Sequence, residues 1–359
     1  MPTPTGDGKP RRLTIAQIAE RANVSPSAVS FALNGRPGVS PKTRERILEV
    51  VRQANWRPNY AAQALSKSRA GVIGVVTIRE PGQPLWSASF GGHFLAGVQS
   101  ALAEHGVLLI LHTVQSLDEE AQLYECWLGQ RRVDGVLVIN PRVTDPRLEE
   151  LDRIDLPAVV VGDTREQSDL SCVWTDDEDA AHIAVEHLAR LGHRHVARIG
   201  GDPELLHFAI RERAFKAAAQ DARVKMNAET LDADATAAER VRELAAAPVN
   251  PLTGVIVEDI EFAVHLTGAL RQLGISVPGD ISVLAWDDSP AATLLTPALT
   301  VLHRDITEYG RLAADQLIEA IESGERRSIR GTSTRLVRRD STGPVGHPVS
   351  GAGSPPPPE

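Results

Sequence analysis

From Gly71 onward the chain repeats one pattern, a short run of apolar residues followed by a longer segment with helical periodicity. The runs are VIGVVT, VLLILH, GVLVIN, AVVVG, VARIG, GVIV and ISVLAW. They are apolar almost throughout rather than at alternate positions, as a strand covered on both faces requires. Between them lie amphipathic stretches at 92–105, 119–130, 177–191, 204–220 and 260–273. A parallel neighbour needs a crossover long enough to bring the chain back to the same end, so strand–helix–strand units predict parallel sheets with helices on both faces. A body of roughly 270 residues exceeds what one such core usually covers, so two lobes are expected. In open sheets of this kind ligands are met outside the carboxyl ends of the strands.

The first 70 residues are different. They hold twelve Lys/Arg against four Asp/Glu, about +8, whereas the remaining 26 basic and 43 acidic residues give −17. A basic end on an acidic protein predicts a polyanionic partner for that end alone. Thr14 with Gln17 is a capping-box pattern, opening a helix whose Ile15, Ile18, Ala19 and Ala22 share a face. Ser25-Pro26 opens a second helix with Val29, Ala32 and Leu33 inward, and Ser40-Pro41 a third with Ile47, Val50 and Val51. Two short helices across a tight turn, braced by a third, describe a helix-turn-helix unit or a small protein-docking bundle. The outward face favours the first: Ser25, Ser27, Ser30 and Asn34 are short hydrogen-bonding groups ringed by Arg36, Lys42, Arg44 and Arg46. Groove recognition divides labour in that way, with short polar groups near bases and cations near phosphates.

The segments LTIAQIAERANVSPSAVSFALNG, VSPKTRERILEVVRQANWRPN and AAQALS resemble the lactose-repressor (LacI/GalR) family of bacterial transcription regulators, and the likeness runs from Leu13 to about Thr342. The resemblance implies an all-α helix-turn-helix headpiece on an α/β, periplasmic-binding-protein-like core of two doubly wound lobes. It divides the chain into an arm (1–12), the headpiece (13–58), a hinge helix and linker (59–70), a two-lobed effector and dimerisation domain (71–340) and a disordered tail (341–359). Lobe 1 takes about 71–173 and 305–323, and lobe 2 about 174–304 and 332–340. Thr14, Ser25, Asn34, Ser40 and Thr43 are assigned to the DNA backbone and Pro26, Ser27 and Phe31 to the base-reading face, with Ser30 a further DNA contact. Asn59, Gln63 and Leu65 fall on the hinge, where Leu65 is the minor-groove wedge. Phe31 departs from the Arg that many relatives carry; it cannot read guanine bidentately but can meet a thymine methyl.

For the cleft, the resemblance and the strand ends together select Asn140, Arg211, Glu258 and Asp287 as polar effector contacts, with Trp86, Phe90 and Trp286 as walls. Asp287-Asp288 capping a turn and Arg211 as a surface charge are the plainer alternatives. Glu258 stands where relatives commonly have Asn, and Gly162 where many have Asp. His193 and His195 have a spacing a metal can use, but no nearby Cys or carboxylate completes a site, so they are read as loop and strand-edge residues. No nucleophile elbow, paired carboxylates or phosphate loop is present, which argues against an enzyme, and no cofactor is expected. Two cysteines, no apolar leader and no long apolar run suit a reduced bacterial cytoplasm, at the nucleoid. The implied function is a homodimeric repressor released from a pseudo-palindromic operator by a small sugar-like effector. A corepressor-dependent repressor, or an activator with a nucleoside ligand, is the alternative. An exported solute-binding protein has the same core but no use for 13–66.

Overall fold

The computed structural model describes residues 13–33, 37–54, 56, 69–79, 88–224, 230–232 and 236–346. Asn34, Arg36, the expected hinge with Asn59, Gln63 and Leu65, and Trp86 lie outside these residues, as do 1–12 and 347–359. The chain falls into two units, Met1–Arg69 and Ala70–Glu359.

In the first unit three helices form around capping residues: α1 (Ile15–Ala22), α2 (Pro26–Leu33) and α3 (Pro41–Gln53). Thr14 Oγ1 accepts the Gln17 N–H at 3.3 Å while Gln17 Oε1 accepts the Thr14 N–H at 2.9 Å, a reciprocal capping box. Asn23 ends α1 in the left-handed region at φ 50°. Ser25 Oγ accepts the Ala28 N–H and Ser40 Oγ the Thr43 N–H, both at 3.2 Å, so each later helix also starts on a serine cap. Ile18, Ala19, Ala22, Val29, Ala32 and Ile47 make the core, and the Trp56 indole N–H donates to the Leu13 carbonyl. Ile15 was expected on that face. It is 37% exposed, because a core this small leaves a first-turn residue at its rim.

The second unit holds two six-stranded sheets. The first contains β1 (Val72–Ile78), β2 (Leu108–Val114), β3 (Gly135–Val138), β4 (Ala158–Val161), β5 (Ser171–Trp174) and β11 (Ser328–Arg330), in the order β11-β5-β4-β3-β1-β2, all parallel. The second contains β6 (Val196–Gly200), β7 (Thr230–Asp232), β8 (Gly254–Val257), β9 (Ser282–Ala285), β10 (Thr300–His303) and β12 (Arg335–Val337), in the order β12-β10-β9-β8-β6-β7. Here the edge strand β12 runs antiparallel to β10. In each sheet the first strand lies between the second and third, so the winding reverses at β1/β3 and at β6/β8. This is the doubly wound, two-lobed architecture the apolar runs imply.

The helices are α4 (Ala88–Glu104), α5 (Leu117–Gly129), α6 (Pro146–Arg153), α7 (Asp177–Arg190), α8 (Leu206–Asp221), α9 (Ala237–Ala245), α10 (Ile260–Gln272), α11 (Pro290–Leu294) and α12 (Ile306–Ser323). Tyr309, Ala313 and Leu317 of α12 pack with Ile73, Val75, Phe94 and Val98, so α12 belongs to the first sheet's layer although it follows the second sheet's β10. The chain therefore crosses between sheets three times: after Trp174, after His303 and between Arg330 and Arg335.

Apolar runs identified only part of the sheets. β5 and β10 begin with Ser171 and Thr300, fully buried polar residues that a search for apolar runs passes over. Their polar atoms are satisfied locally: Ser171 Oγ accepts the Arg327 N–H at 3.0 Å and Thr300 Oγ1 lies 2.9 Å from Thr342 Oγ1. The disordered tail expected from 341 does not include 341–346. Ser341 is fully buried, accepting the Thr300 N–H at 2.8 Å and donating to the Val283 carbonyl at 2.6 Å. The Val345 N–H still reaches the Leu191 carbonyl at 3.0 Å. Gly/Ser-rich composition suggests disorder, but it is these partners, 41 to 154 positions away, that order the segment.

Candidate functional site

On the headpiece, Pro26, Ser27 and Phe31 form an exposed stripe along α2, with Ser30 half-buried beside them. Ser25 Oγ and Ser27 Oγ lie 2.8 Å apart, and Ser40 Oγ and Thr43 Oγ1 likewise. Thr14, Ser25 and Ser40 are exposed at helix starts, where N–H groups and the positive end of the helix dipole suit phosphate. The expected contact residues within the described part thus lie at three helix N-termini and on one helix face.

In the second unit, β6 and the carboxyl ends of β8, β9 and β10 deliver charged side chains to one place. Arg211, from α8, donates from Nε to Asp177 Oδ2 at 2.9 Å and from Nη1 to Glu258 Oε2 at 3.2 Å. Its guanidinium lies 4.3 Å from the Trp286 ring centre. Glu258 Oε1 accepts from Arg198 Nε. Arg304, directly after β10, donates to both Asp287 oxygens at 2.9 and 3.3 Å and to Thr175 Oγ1 at 3.1 Å, with Asp177 Oδ1 3.9 Å away. Three arginines therefore face three carboxylates, all at most 13% exposed at the side chain. Phe90 reaches the cluster from the first sheet's layer, its ring 5.6 Å from Arg304 Cζ. Beside it opens a cavity of about 350 Å³ lined by His93, Asp288, His303, Arg304 and Asp305 among others.

Burial pushes the Glu258 carboxyl up, while Arg211 and Arg198 pull it back. Desolvation holds the His207 imidazole well below its usual range, and the Arg211, Arg304 and Arg198 guanidiniums add to the effect.

Of the residues expected from sequence, Arg211, Glu258, Asp287, Trp286 and Phe90 are brought together. Asn140 is not: its side chain is exposed, its φ is 49°, and its carbonyl accepts from Arg147 Nη2 at 3.0 Å. Glu258 has both oxygens committed to arginines and is 5% exposed. Trp286 is 2% exposed, sandwiched between Arg211 and the edge of Phe215. Asp287 and Asp288 have different partners, since both Asp288 oxygens accept from Arg339 Nη2, at 2.9 and 2.7 Å. Gly162 has a backbone reason, because at φ 149° a Cβ would stand 2.7 Å from Pro141 Cγ.

Arg198, Asp177 and Arg304 escaped the sequence reading. A lone Arg inside VARIG was the one available signal for the first. Arg304 follows a strand that opens on a polar residue, and Asp177 sits at a helix start where acids are common anyway. His193 and His195 do not face each other's lone pairs. His193 donates from Nε2 to the Gly343 carbonyl at 3.1 Å and His195 from Nδ1 to the Asn250 carbonyl at 2.7 Å. Among the described residues no group of three His, Cys, Asp or Glu side chains is placed to hold a metal.

The two layers meet at a second place. The Val143 N–H donates to the Glu204 carbonyl at 2.9 Å, the Leu206 N–H to the Pro141 carbonyl at 2.8 Å, and Arg142 Nη1 pairs with Glu204 at 2.6 Å. This short antiparallel clasp ends at Leu206, the first residue of the helix that carries Arg211.

Comparison with known proteins matches both units. Residues 14–59 match the model for bacterial regulatory proteins of the lacI family, and 185–342 match the periplasmic binding protein-like domain. The HTH-type transcriptional regulator AglR of Rhizobium meliloti (strain 1021) is 33% identical over 351 residues, covering 93% of this chain and 95% of that protein. A solved complex of the transcriptional regulator CelR with cellobiose is 27% identical, covers 92% of this chain and all of that one, and superposes with a TM-score of 0.66. The lac repressor dimer bound to operator and the anti-inducer ONPF, at 23% identity, shares the fold with a TM-score of 0.79 over 93% of this chain and all of that one.

Proposed function

As a member of the lacI family of bacterial regulatory proteins, to which this chain belongs, the protein is a DNA-binding transcription regulator, and we propose that a small sugar-like effector in its cleft releases it from a pseudo-palindromic operator. Two headpieces of a homodimer read two half-sites, because a two-fold protein demands two-fold DNA. Thr14, Ser25, Ser40 and Thr43 hold phosphates, while Pro26, Ser27, Ser30 and the Phe31 ring meet base edges. Phe31 offers an apolar surface, which suits a thymine methyl. Asn34, Asn59, Gln63 and Leu65 carry the same proposed roles as in the sequence reading.

The observation that carries the effector reading is the buried cluster of Arg211, Asp177, Arg304, Asp287, Glu258 and Arg198 at the carboxyl ends of one sheet, where the winding reverses. Carboxylates accept ligand hydroxyl protons and guanidinium N–H groups donate to ligand oxygens, while Phe90 provides an apolar edge. The relative solved as a complex with cellobiose supports a sugar. No catalytic arrangement is part of this reading, and the proposed setting is the bacterial cytoplasm; among the described residues no helix is long and apolar enough to cross a membrane.

The test is a pair of titrations, a mono- and disaccharide panel read by thermal shift and operator binding read by anisotropy. A coupling of about 1–3 kcal/mol changes operator affinity roughly 5- to 150-fold, and linkage requires operator to change sugar affinity by the same factor. Arg211→Ala should abolish the sugar response with operator affinity retained. Identical sugar affinity for free and operator-bound protein would refute the mechanism.

A further inference from the structure

Arg198 is the unusual member of the cleft cluster. It sits inside β6, between β7 and β8, with buried Ala197 and Ile199 on either side, and is itself 2% exposed. A charge in such a place needs a partner and a channel for its side chain. Both are present. Gly200, two residues along on the same face, leaves room for the guanidinium: a Cβ there would stand 2.7 Å from Arg198 Nη2 and 2.9 Å from Cζ. Arg198 Nη2 donates to the Phe208 carbonyl at 3.2 Å, and Nε donates to Glu258 Oε1.

Glu258 is fixed in turn. Its N–H donates to the Ile199 carbonyl at 2.9 Å, and its second carboxylate oxygen accepts from Arg211. Arg211 is thus clamped between Glu258, Asp177 and the face of Trp286. Each carboxylate of the cluster is matched by an arginine, so the set is neutral as a whole.

We propose that Arg198 and Glu258 act as a positioning pair that holds Arg211 in place within a charge-balanced cluster, so that this cleft accepts uncharged effectors and rejects anionic ones. The role rests on the cleft being the effector site. An anion reaching Arg211 must displace a carboxylate that then stays buried without its partner. A neutral hydroxylated ligand exchanges hydrogen bonds without changing the charge balance. Glu258 is accordingly a support for Arg211 rather than a ligand contact, which revises the role expected for it from sequence.

The experiment is a charge cycle on the full-length protein with inorganic phosphate as the anionic probe and the neutral saccharide panel beside it. Thermal shift reads the difference between each variant and wild type, since the basic headpiece is common to all. Glu258→Gln keeps the shape and removes one negative charge; phosphate binding should tighten on the order of tenfold or more. Arg198→Met combined with Glu258→Gln restores a neutral set, and the gain should vanish. The double variant removes both buried charges together and is the safer fold. In it Arg211 loses one clamp, and the saccharide response should weaken about tenfold.

The pair is merely structural if folded Glu258→Gln gains no phosphate affinity, or if the double variant keeps the full saccharide response. Tight phosphate binding at the wild-type cleft overturns the proposal as well. If no saccharide binds wild type while the phosphate cycle behaves as described, the sugar reading fails and the positioning pair stands.

Discussion

Among the described residues of the second unit, two buried ion clusters differ in where they sit. In the first sheet's layer Arg147, 2% exposed, donates to Asp145 at 2.7 and 2.9 Å and to both Glu120 oxygens at 3.1 Å. Its remaining N–H groups close on the Ile139 and Asn140 carbonyls at 3.2 and 3.0 Å, and Tyr124 donates its hydroxyl to Glu120. Every partner lies in one layer, and the arginine serves main-chain carbonyls of the turn after β3. The cleft cluster instead joins residues from β6, from three strand ends and from the crossings after Trp174 and His303, and an aromatic ring from the other layer reaches it. Burial and ion pairing are common to both. Location at the strand ends and crossings is what separates a candidate ligand site from an internal brace.

That contrast can be broken by mutation. The largest expected effect is in the brace: Arg147→Met leaves Glu120 and Asp145 buried without their partner and should cost about 3–5 kcal/mol in chemical denaturation, with any surviving saccharide response of normal affinity. Arg211→Ala should cost less, about 1–3 kcal/mol, because Glu258 keeps Arg198 and Asp177 keeps Arg304, yet it should remove the response. A reversal of those two outcomes would erase the distinction.

A pH series sharpens it further. Burial, with His187 and Arg194 adding to it, lowers the His193 imidazole to about 4, against the hydrogen bond to Gly343 that favours the charged ring. The unfolded ring, near 6.5, binds a proton first on acidification. Stability from this group is therefore complete above about pH 6.5 and lost as pH falls toward 4, by up to about 3 kcal/mol. His193→Asn should flatten that limb of the stability profile while leaving the brace and the cleft as they are; an unchanged acid limb would show that His193 is not its source.

The smallest effect belongs to the clasp. Arg142 and Glu204 are partly exposed, so Arg142→Ala should change stability by no more than about 1 kcal/mol. If the clasp restrains the two layers, saccharide association measured by stopped flow should nevertheless accelerate.

Much of the fold was legible because its signals are local. Thr14/Gln17, Ser25-Pro26 and Ser40-Pro41 mark helix starts within four residues, and an apolar run such as AVVV declares a doubly covered strand by itself. β5 and β10 were less visible because their buried Ser171 and Thr300 are made tolerable by Arg327 and Thr342, far along the chain. The cleft followed the same rule. Arg211, Asp287 and Glu258 were singled out from their motifs and strand ends, whereas Arg304 needed β10 to be recognised first, and Arg198, which donates to Glu258, left only a lone Arg in an apolar run.

The sequence by itself determined the three capped helices, the charge division between the ends of the chain and the alternation of doubly covered strands with helices, because caps, periodicity and apolar runs act over a few residues. Only the tertiary structure decided which charges meet. Arg198 and Glu258 are 60 positions apart and Thr175 and Arg304 129 apart; their pairing depends on strand order, on register and on where the chain crosses between sheets. Ionic interactions are set by distances of a few ångströms in a low-dielectric interior, and no local pattern in the sequence encodes those distances.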